Sequence, residues 1–356
     1  MSKHIDNLNQ VRAFVRTGAG QAANFTQLDW VRTQLLSESG IDPYPGTLNL
    51  KVESDEEQLN WARIKKRTDY LQMTPEGGFC AARLFPVRIN GELPGAALIP
   101  EVDDYADDQI EVVASVSLRE HMNLVDGVGA HLEVLQPRRY PVVLFDVDGT
   151  LLNSLDGYRV AVSRATAQYG WEVSDEIVRK ALNGNHSFWD LLIPDPALRT
   201  DEFIQELRAE ILKQWPAALE ENVDVLPGIA EMLHQLKESG VRLGIFTGSG
   251  GESMPPLKKA GLLELFEVVI TGNDVSERKP KPEGLQLCLQ HLGVAADDAV
   301  YIGDSCVDVG ASKASGMASI SVLTGAGDPV SLALAGSERI ISSAARLCDA
   351  LKFDGP

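Results

Sequence analysis

The sequence predicts two domains of different class: a small β-barrel over residues 1–136 and a Rossmann-like α/β domain over 142–356, joined by a linker at 137–141. Three observations predict this. The chain has 356 residues, more than one hydrophobic core usually spans. The first 136 residues carry short apolar or alternating runs broken by Gly, Pro or Asp, the texture of strands and turns. Beyond them, compact β-rich runs each lead through a turn into a helical stretch, as βαβ units around a parallel sheet do.

In order, Val11–Val15, Gly46–Val52, Cys80–Ile89, Gly95–Pro100, Gln109–Val116 and Ala130–Leu135 read as strands. One helical stretch, Gln27–Ser39, interrupts them, and the whole suggests a small barrel. The segment Gln136–Pro141 has two prolines bracketing charge, which suits a linker. Four further strands follow: Val142–Val147, Arg242–Thr247, Val268–Thr271 and Ala299–Asp304. Between the first two lies a crossover of roughly 85 residues with helical periodicity, including Leu155–Tyr169 and Thr200–Trp215. That is too long for a loop and reads as an inserted helical subdomain.

Composition narrows the function. The formal charge is −19, with 14 basic and 20 acidic residues up to Arg139 and 18 and 31 after it. Neither part has the basic excess that nucleic-acid binding needs. An acidic protein that handles phosphates must gather positive charge locally, from a few lysines, amide groups and a metal ion. No apolar run approaches the roughly 18–20 residues of a membrane span, and the start, MSKHIDNLNQ, lacks the apolar stretch of a secretory signal. Cys80, Cys288, Cys306 and Cys348 are scattered without metal-ligand spacing, so a reducing cytoplasm is the expected location.

Chemistry concentrates after the strand Val142–Phe145, in Asp146-Val147-Asp148-Gly149-Thr150. Ligands of open parallel sheets gather at the carboxyl ends of strands. Two carboxylates two residues apart can reach one pocket through a tight turn, which Gly149 permits. Thr247 ends another strand, Asp304 and Asp308 follow a third, and Lys279 lies in Arg-Lys-Pro-Lys-Pro after a fourth. A carboxylate such as Asp146 can attack phosphorus, with Asp148 protonating the leaving alcohol and then activating water. Lys279 would compensate charge, Thr247 would bond phosphate oxygens, and Mg²⁺ would offset the repulsion of anion by anion. As a strand-end group, Asp146 is expected to be exposed. Taken singly, an Asp-x-Asp turn is more often structural than catalytic; the ordered set is what changes the reading.

The segments DVDGT, FTGSG, RKPKPE and GDSCVD resemble, in order, the four signatures of haloacid dehalogenase-like hydrolases, a likeness spanning 141 to about 356. The resemblance implies Asp146 as nucleophile, Asp148 as acid and base, Thr247 as phosphate ligand and Lys279 as the charge-compensating lysine. It implies that Asp146, Asp304, supporting Asp308 and the Asp148 backbone carbonyl form the Mg²⁺ site. It makes the insertion, about 156–225, a cap over the substrate. Aspartate at 148 favours phosphomonoester hydrolysis of a small phosphorylated metabolite over a phosphomutase reaction. Within the cap, Asn185 and His186 are candidate substrate residues, although a helix-connecting turn explains them equally well.

In the first domain, Pro43–Leu50 is a rigid turn entering a strand, and Thr47 and Asn49 share a face. Both offer neutral oxygens to a metal or phosphate. Gly18-Ala19-Gly20 is a small-residue loop able to bring amide groups near phosphate, though most such loops are turns. Together with GAALIP, IEVVA and LREHMNLVDG, these segments resemble the CTP-dependent riboflavin kinases best known from archaea, over roughly 10–135. The resemblance implies a six-stranded barrel, Thr47 and Asn49 as Mg²⁺ ligands, and Gly18, Ala19, Gly20 and Thr47 at the nucleotide. It also implies CTP as phosphate donor and Glu111 at a riboflavin substrate or as base. One departure is the loop Glu101–Asp108, which carries five carboxylates where basic residues or histidine are expected.

Three readings stay open. The chain is a CTP-dependent kinase for a riboflavin-like molecule fused to a phosphatase; or its kinase acts on another alcohol, such as a sugar or polyol; or the barrel only senses nucleotide or flavin.

Overall fold

A computed structural model describes residues 6–351, apart from 19, 21, 104 and 184–187. The chain divides into two compact units, Met1–Arg138 with Gly336–Ser342, and Arg139–Ala335 with Ser343–Pro356.

The first unit is a closed antiparallel barrel. Its strands are β1 (Gln10–Arg16), β2 (Leu48–Lys51), β3 (Leu71–Met73), β4 (Ala82–Ile89), β5 (Leu93–Pro100), β6 (Gln109–Val113) and β7 (Gly129–Val134). They follow the order β3-β4-β5-β6-β2-β1-β7, and a further pairing of β4 with β7 closes the ring. Six strands therefore make the barrel, as expected, while β3 flanks β4 from outside the ring. Closure removes the free edges that an open sheet of this size would expose. Alternation fills the interior: Val11, Ala13 and Val15 of β1, Leu48 and Leu50 of β2, and Ile110 and Val112 of β6 are all buried. The intervening Asn49 and Glu111 sit opposite each other in the β2–β6 ladder, on the outward face.

The expected helix runs from Asp29 to Ser39 and ends on Gly40 in the left-handed region, with φ of 67°. A second helix, Asp55–Ile64, was not expected. Ser54 caps it by accepting from the Glu57 amide, and it buries only Trp61 and Ile64.

The second unit holds β8 (Val142–Phe145), β9 (Arg242–Phe246), β10 (Val268–Ile270), β11 (Ala299–Gly303) and β12 (Ala318–Val322), in the order β10-β9-β8-β11-β12. All four neighbouring pairs among these are parallel ladders. Every residue of β8 and β11 is buried, as strands covered on both faces must be. Burying a side chain such as Phe145 contributes about 2 kcal/mol. The switch from β8, which leads into the inserted helices, to β11 on its other side leaves a crevice at the carboxyl ends.

Between β8 and β9 the chain forms helices Ser154–Thr166, Asp175–Leu182, Phe188–Leu192 and Asp201–Asn222. They have a core of their own, built on Val162, Ala165, Leu192, Ile193 and Leu207. Ser174 and Thr200 cap two of these helices by accepting from the amides of Ile177 and Phe203. No helix among the described residues is long and apolar enough to cross a membrane.

Candidate active site

The site begins where β8 ends. The Asp146 amide donates to the Ile302 carbonyl at 2.8 Å, so the strand pairing carries one residue further. The chain then turns sharply, and the amides of Thr150, Leu151 and Leu152 all donate to the Val147 carbonyl. Gly149 sits inside this turn at φ of 79°. A Cβ there would lie 2.7 Å from Asp304 Oδ2, and one on Gly325 only 1.9 Å from the same oxygen. Two glycines thus cradle the Asp304 carboxylate where any side chain would displace it.

Asp146, Asp304 and Asp308 are buried, and one oxygen from each lies within 4.8 Å of the others. Asp146 is 6 % exposed, which corrects the expectation of an exposed strand-end carboxylate. Its position beneath the inserted helices and against Lys279 is what buries it. Lys279 Nζ donates to Asp146 Oδ1 at 2.5 Å and to Asp308 Oδ1 at 2.7 Å. Both Asp308 oxygens are engaged: Oδ1 also accepts from the Tyr301 hydroxyl at 3.2 Å, and Oδ2 from the Ser305 amide and hydroxyl. That network suits a residue that holds Lys279 and the loop in place. Asp304 accepts from the Ala326 amide at 2.6 Å and from Thr150 Oγ1 at 3.4 Å.

Asp148 stands over the same floor. One oxygen accepts from Ser253 Oγ at 3.0 Å, and the other, Oδ1, is buried without a hydrogen-bond partner. Thr247 ends β9 and pairs its hydroxyl with Ser249 Oγ at 3.1 Å. Asp146, Asp148, Thr247, Lys279, Asp304 and Asp308 all line one cavity of about 760 Å³.

Charge explains what this cluster lacks. Burial pushes the Asp146 carboxyl well above the usual range; Lys279 opposes that, and the carboxylates of Asp308, Asp304 and Asp148 add to it. Burial and Asp308 push Asp304 up to about 7. Burial also raises Asp148, against hydrogen bonds from the Ser253, Ser154 and Tyr158 hydroxyls. For Lys279, burial alone would lower the ammonium, but Asp146 and Asp308 outweigh it and hold it above the ordinary lysine value. Four carboxylates face one ammonium, so a divalent cation would relieve the repulsion. The ligand set is all oxygen, the chemistry of Mg²⁺. With three buried carboxylates converging and a glycine cradle around Asp304, the site fits such an ion.

In the barrel, Thr47 Oγ1 donates to Glu111 Oε2 at 3.0 Å, and Asn49 Nδ2 to Thr47 Oγ1 at 3.2 Å. Gly18 packs on Asn49, where an added Cβ would come within 2.5 Å of Nδ2. Thr47, Asn49, Glu111 and Gly18 therefore meet. Gly20 follows with φ of 76° and open space around its Cα. Ala19 lies outside the described residues, as do Asn185 and His186 of the cap segment. In the acidic loop, Asp107 pairs with Lys65, Asp108 with Lys51, and Glu101 with Arg83. Three of its five carboxylates are thus met by local cations.

Several residues at these sites escaped sequence reasoning. Ser253 reaches Asp148 across 105 residues of sequence, and Tyr301 reaches Asp308 from the buried strand before it. Asn183, which opens the cap segment expected to reach the substrate, instead accepts from the Cys306 amide at 2.9 Å and donates to Ser331 Oγ at 3.0 Å, tying the inserted helices to the loop that carries Asp304. Tyr105, within the acidic loop, has a buried hydroxyl without a hydrogen-bond partner. Burial raises it, and the nearby Glu111 carboxylate adds to the shift. An aromatic side chain amid five carboxylates was the available signal for Tyr105; the others had none.

A parallel sheet with a buried carboxylate centre at its strand ends and an inserted helical layer defines a capped, Rossmann-like α/β domain. Residues 143–322, just over half the chain, match the haloacid dehalogenase-like hydrolase family, and the chain belongs to that family. Residues 15–134 match a family described as a domain of unknown function, DUF120, whose short name refers to CTP-dependent riboflavin kinase. Among similar proteins, a validoxylamine A 7′-phosphate phosphatase from Streptomyces hygroscopicus subsp. limoneus is 32% identical, over 52% of this chain and 86% of its own. A phosphoglycolate phosphatase from Rhodospirillum rubrum is 31% identical, over 60% of this chain and 92% of its own. A haloacid dehalogenase-like hydrolase from Bacteroides fragilis superposes with a TM-score of 0.54 at 28% identity, covering 59% of this chain and all of that one.

Proposed function

We propose that the chain is a bifunctional phosphotransfer enzyme: a phosphomonoester phosphatase in its second domain, 142–356, and a CTP-dependent kinase for a riboflavin-like small molecule in its first, 1–136. The observation that carries the phosphatase is the meeting of Asp146, Asp148, Thr247 and Lys279 with Asp304 and Asp308 on one cavity. Asp146 attacks phosphorus and displaces the alcohol, forming an aspartyl-phosphate, while Asp148 passes its proton to the leaving oxygen. Water then attacks the aspartyl-phosphate, Asp148 takes a proton back, and inorganic phosphate leaves with Asp146 restored. Lys279 and the Thr247 hydroxyl hold the phosphoryl oxygens. Asp146, Asp304 and the Asp148 carbonyl would hold Mg²⁺, with Asp308 supporting them. That ion supplies charge compensation for anion meeting anion.

The kinase reading is supported by the Thr47–Asn49–Glu111 cluster beside Gly18 and by the profile matched over 15–134. The lysines that meet Asp107 and Asp108 lessen the objection that the acidic loop repels nucleotide. The test is incubation of the full chain with Mg²⁺, either CTP or ATP, and riboflavin or a panel of sugars and polyols, in wild type and Asp146→Asn. Silencing the phosphatase protects the kinase product from hydrolysis. FMN formed from CTP supports the reading. Transfer only to a sugar or polyol redirects the kinase, CTP binding without transfer makes the barrel a sensor, and no binding at all refutes the assignment of the barrel.

A further inference from the structure

We infer that the phosphatase cavity takes phosphomonoesters whose leaving alcohol carries a planar aromatic heterocycle; this rests on the phosphatase reading and names its substrate class. The floor of the cavity is polar, but the wall supplied by the inserted helices is not. Tyr158, Phe188, Trp189, Ile211, Leu212 and Trp215 line it. The rings of Tyr158 and Trp215 stack with centroids 4.4 Å apart and planes 24° from parallel. Phe188 and Trp189 meet edge to face at 4.8 Å.

These side chains are more than the core of the inserted helices. Val162, Ala165, Leu192, Ile193 and Leu207 form the buried centre there, while Phe188, Trp189 and Ile211 are only partly buried. Leu212 is 52 % exposed. Apolar surface that stays uncovered around a cavity of this size suits a ligand that covers it. About 760 Å³ is within the range of roughly 300–1,000 Å³ that encloses cofactor-sized molecules. A two-carbon acid phosphate would leave most of it unfilled.

The polar atoms on that wall decide between a sugar and a ring. Among the described lining residues of the inserted helices, they are the Ser154 and Tyr158 hydroxyls, which both bond Asp148, the Arg208 guanidinium and the indole N–H groups of Trp189 and Trp215. Guanidinium and indole donate only, and just the two hydroxyls can accept. A hexose or polyol would strand most of its hydroxyl donors against this wall, and each stranded donor weakens binding. A heterocycle presents the reverse inventory: flat faces for the aromatic side chains, and carbonyl oxygens and ring nitrogens that accept at its edge. The phosphate end would rest on the carboxylate and lysine floor.

The test measures kcat/KM of the full chain with Mg²⁺ on FMN, pyridoxal 5′-phosphate and uridine monophosphate against 2-phosphoglycolate and glucose 6-phosphate. Acetyl phosphate serves as a substrate without a leaving alcohol, and Asp146→Asn is run beside every assay. At least one heterocyclic ester is expected to exceed both compact substrates at least tenfold. Trp189→Ala is expected to cut that ratio about tenfold, in line with what losing one stacking partner typically costs. Leu212→Ser, at an exposed position that folding tolerates, should cut it less but in the same direction. A preference for 2-phosphoglycolate or glucose 6-phosphate overturns the inference and leaves the phosphatase intact, as does a ratio that neither substitution changes. Absence of Asp146-dependent hydrolysis of every compound, acetyl phosphate included, overturns the phosphatase reading and this inference together.

Discussion

The ammonium of Lys279 lies 2.5 Å from Asp146 Oδ1, and both side chains are almost wholly withdrawn from solvent. Lys279 keeps a second carboxylate, Asp308, at 2.7 Å. Asp146→Asn therefore removes the attacking oxygen without stranding the lysine. Hydrolysis of a generic phosphomonoester should fall at least a thousandfold, while the melting temperature stays within a few degrees of wild type. Wild-type turnover in this variant would remove Asp146 from its role as nucleophile.

The converse substitution should not be so mild. Lys279→Met leaves Asp146 and Asp308 buried near each other without their shared cation. Breaking a buried pair in this way costs about 3–5 kcal/mol. Urea denaturation should show a loss of that order together with loss of activity. A variant as stable as wild type would mean that the carboxylates are neutralised by something other than Lys279.

Much of this site was legible because each residue ends a strand, and strands buried on both faces announce themselves as apolar runs. Asp146, Thr247 and Asp304 each follow such a run directly. The barrel strands were legible for a related reason, since Leu48, Leu50, Ile110 and Val112 alternate with outward polar residues. The helix Asp55–Ile64 was not, because a segment as polar as DEEQLNWARI buries just two side chains and needs the barrel to hold it. The burial of Asp146 was hidden too. It depends on the inserted helices and Lys279, partners distant in sequence that no local pattern reports.

The metal site offers a steric test that spares every carboxylate. A Cβ on Gly325 would fall 1.9 Å from Asp304 Oδ2 and 2.3 Å from its Cγ. Gly325→Ala should push the carboxylate aside and weaken Mg²⁺ binding at least tenfold by calorimetry. Chelation should abolish hydrolysis in wild type, and excess Mg²⁺ should rescue wild type before the variant. Equal Mg²⁺ affinity in the two proteins would separate Asp304 from the metal.

Asn183 links the inserted helices to the strand-end loops through the Cys306 amide and Ser331. Nearby, Arg179 donates to the Gly325 carbonyl, a second tie between the same parts. Asn183→Ala would leave the Cys306 amide without its partner whenever the helices close over the site. The expected result is a fall in kcat/KM of about tenfold, equivalent to ~1.4 kcal/mol and typical of losing one hydrogen bond. The loss should appear mainly in KM, because the carboxylates themselves are untouched. An unchanged KM would show that closure does not depend on this residue.

The barrel allows an equally local test of nucleotide binding. An added Cβ on Gly18 would meet all three terminal atoms of Asn49, at 2.5 Å from Nδ2, 2.7 Å from Cγ and 2.8 Å from Oδ1. Asn49 would have to swing away, releasing its 3.2 Å bond to Thr47 Oγ1 and loosening the hydroxyl that donates to Glu111. Gly18→Ala should therefore lower CTP affinity about tenfold or more, measured by calorimetry with Mg²⁺ in an Asp146→Asn background that cannot hydrolyse phosphomonoesters. A control is needed for the general cost of placing alanine at a barrel glycine. Gly91 serves: its φ is 71° and nothing lies within 4 Å of an added Cβ. Gly91→Ala should thus cost roughly 1 kcal/mol of backbone strain without touching the cluster. Its CTP affinity should match the background protein, and its stability should fall slightly. If Gly18→Ala binds CTP as tightly as Gly91→Ala does, the Thr47–Asn49–Glu111 cluster is not where the nucleotide sits.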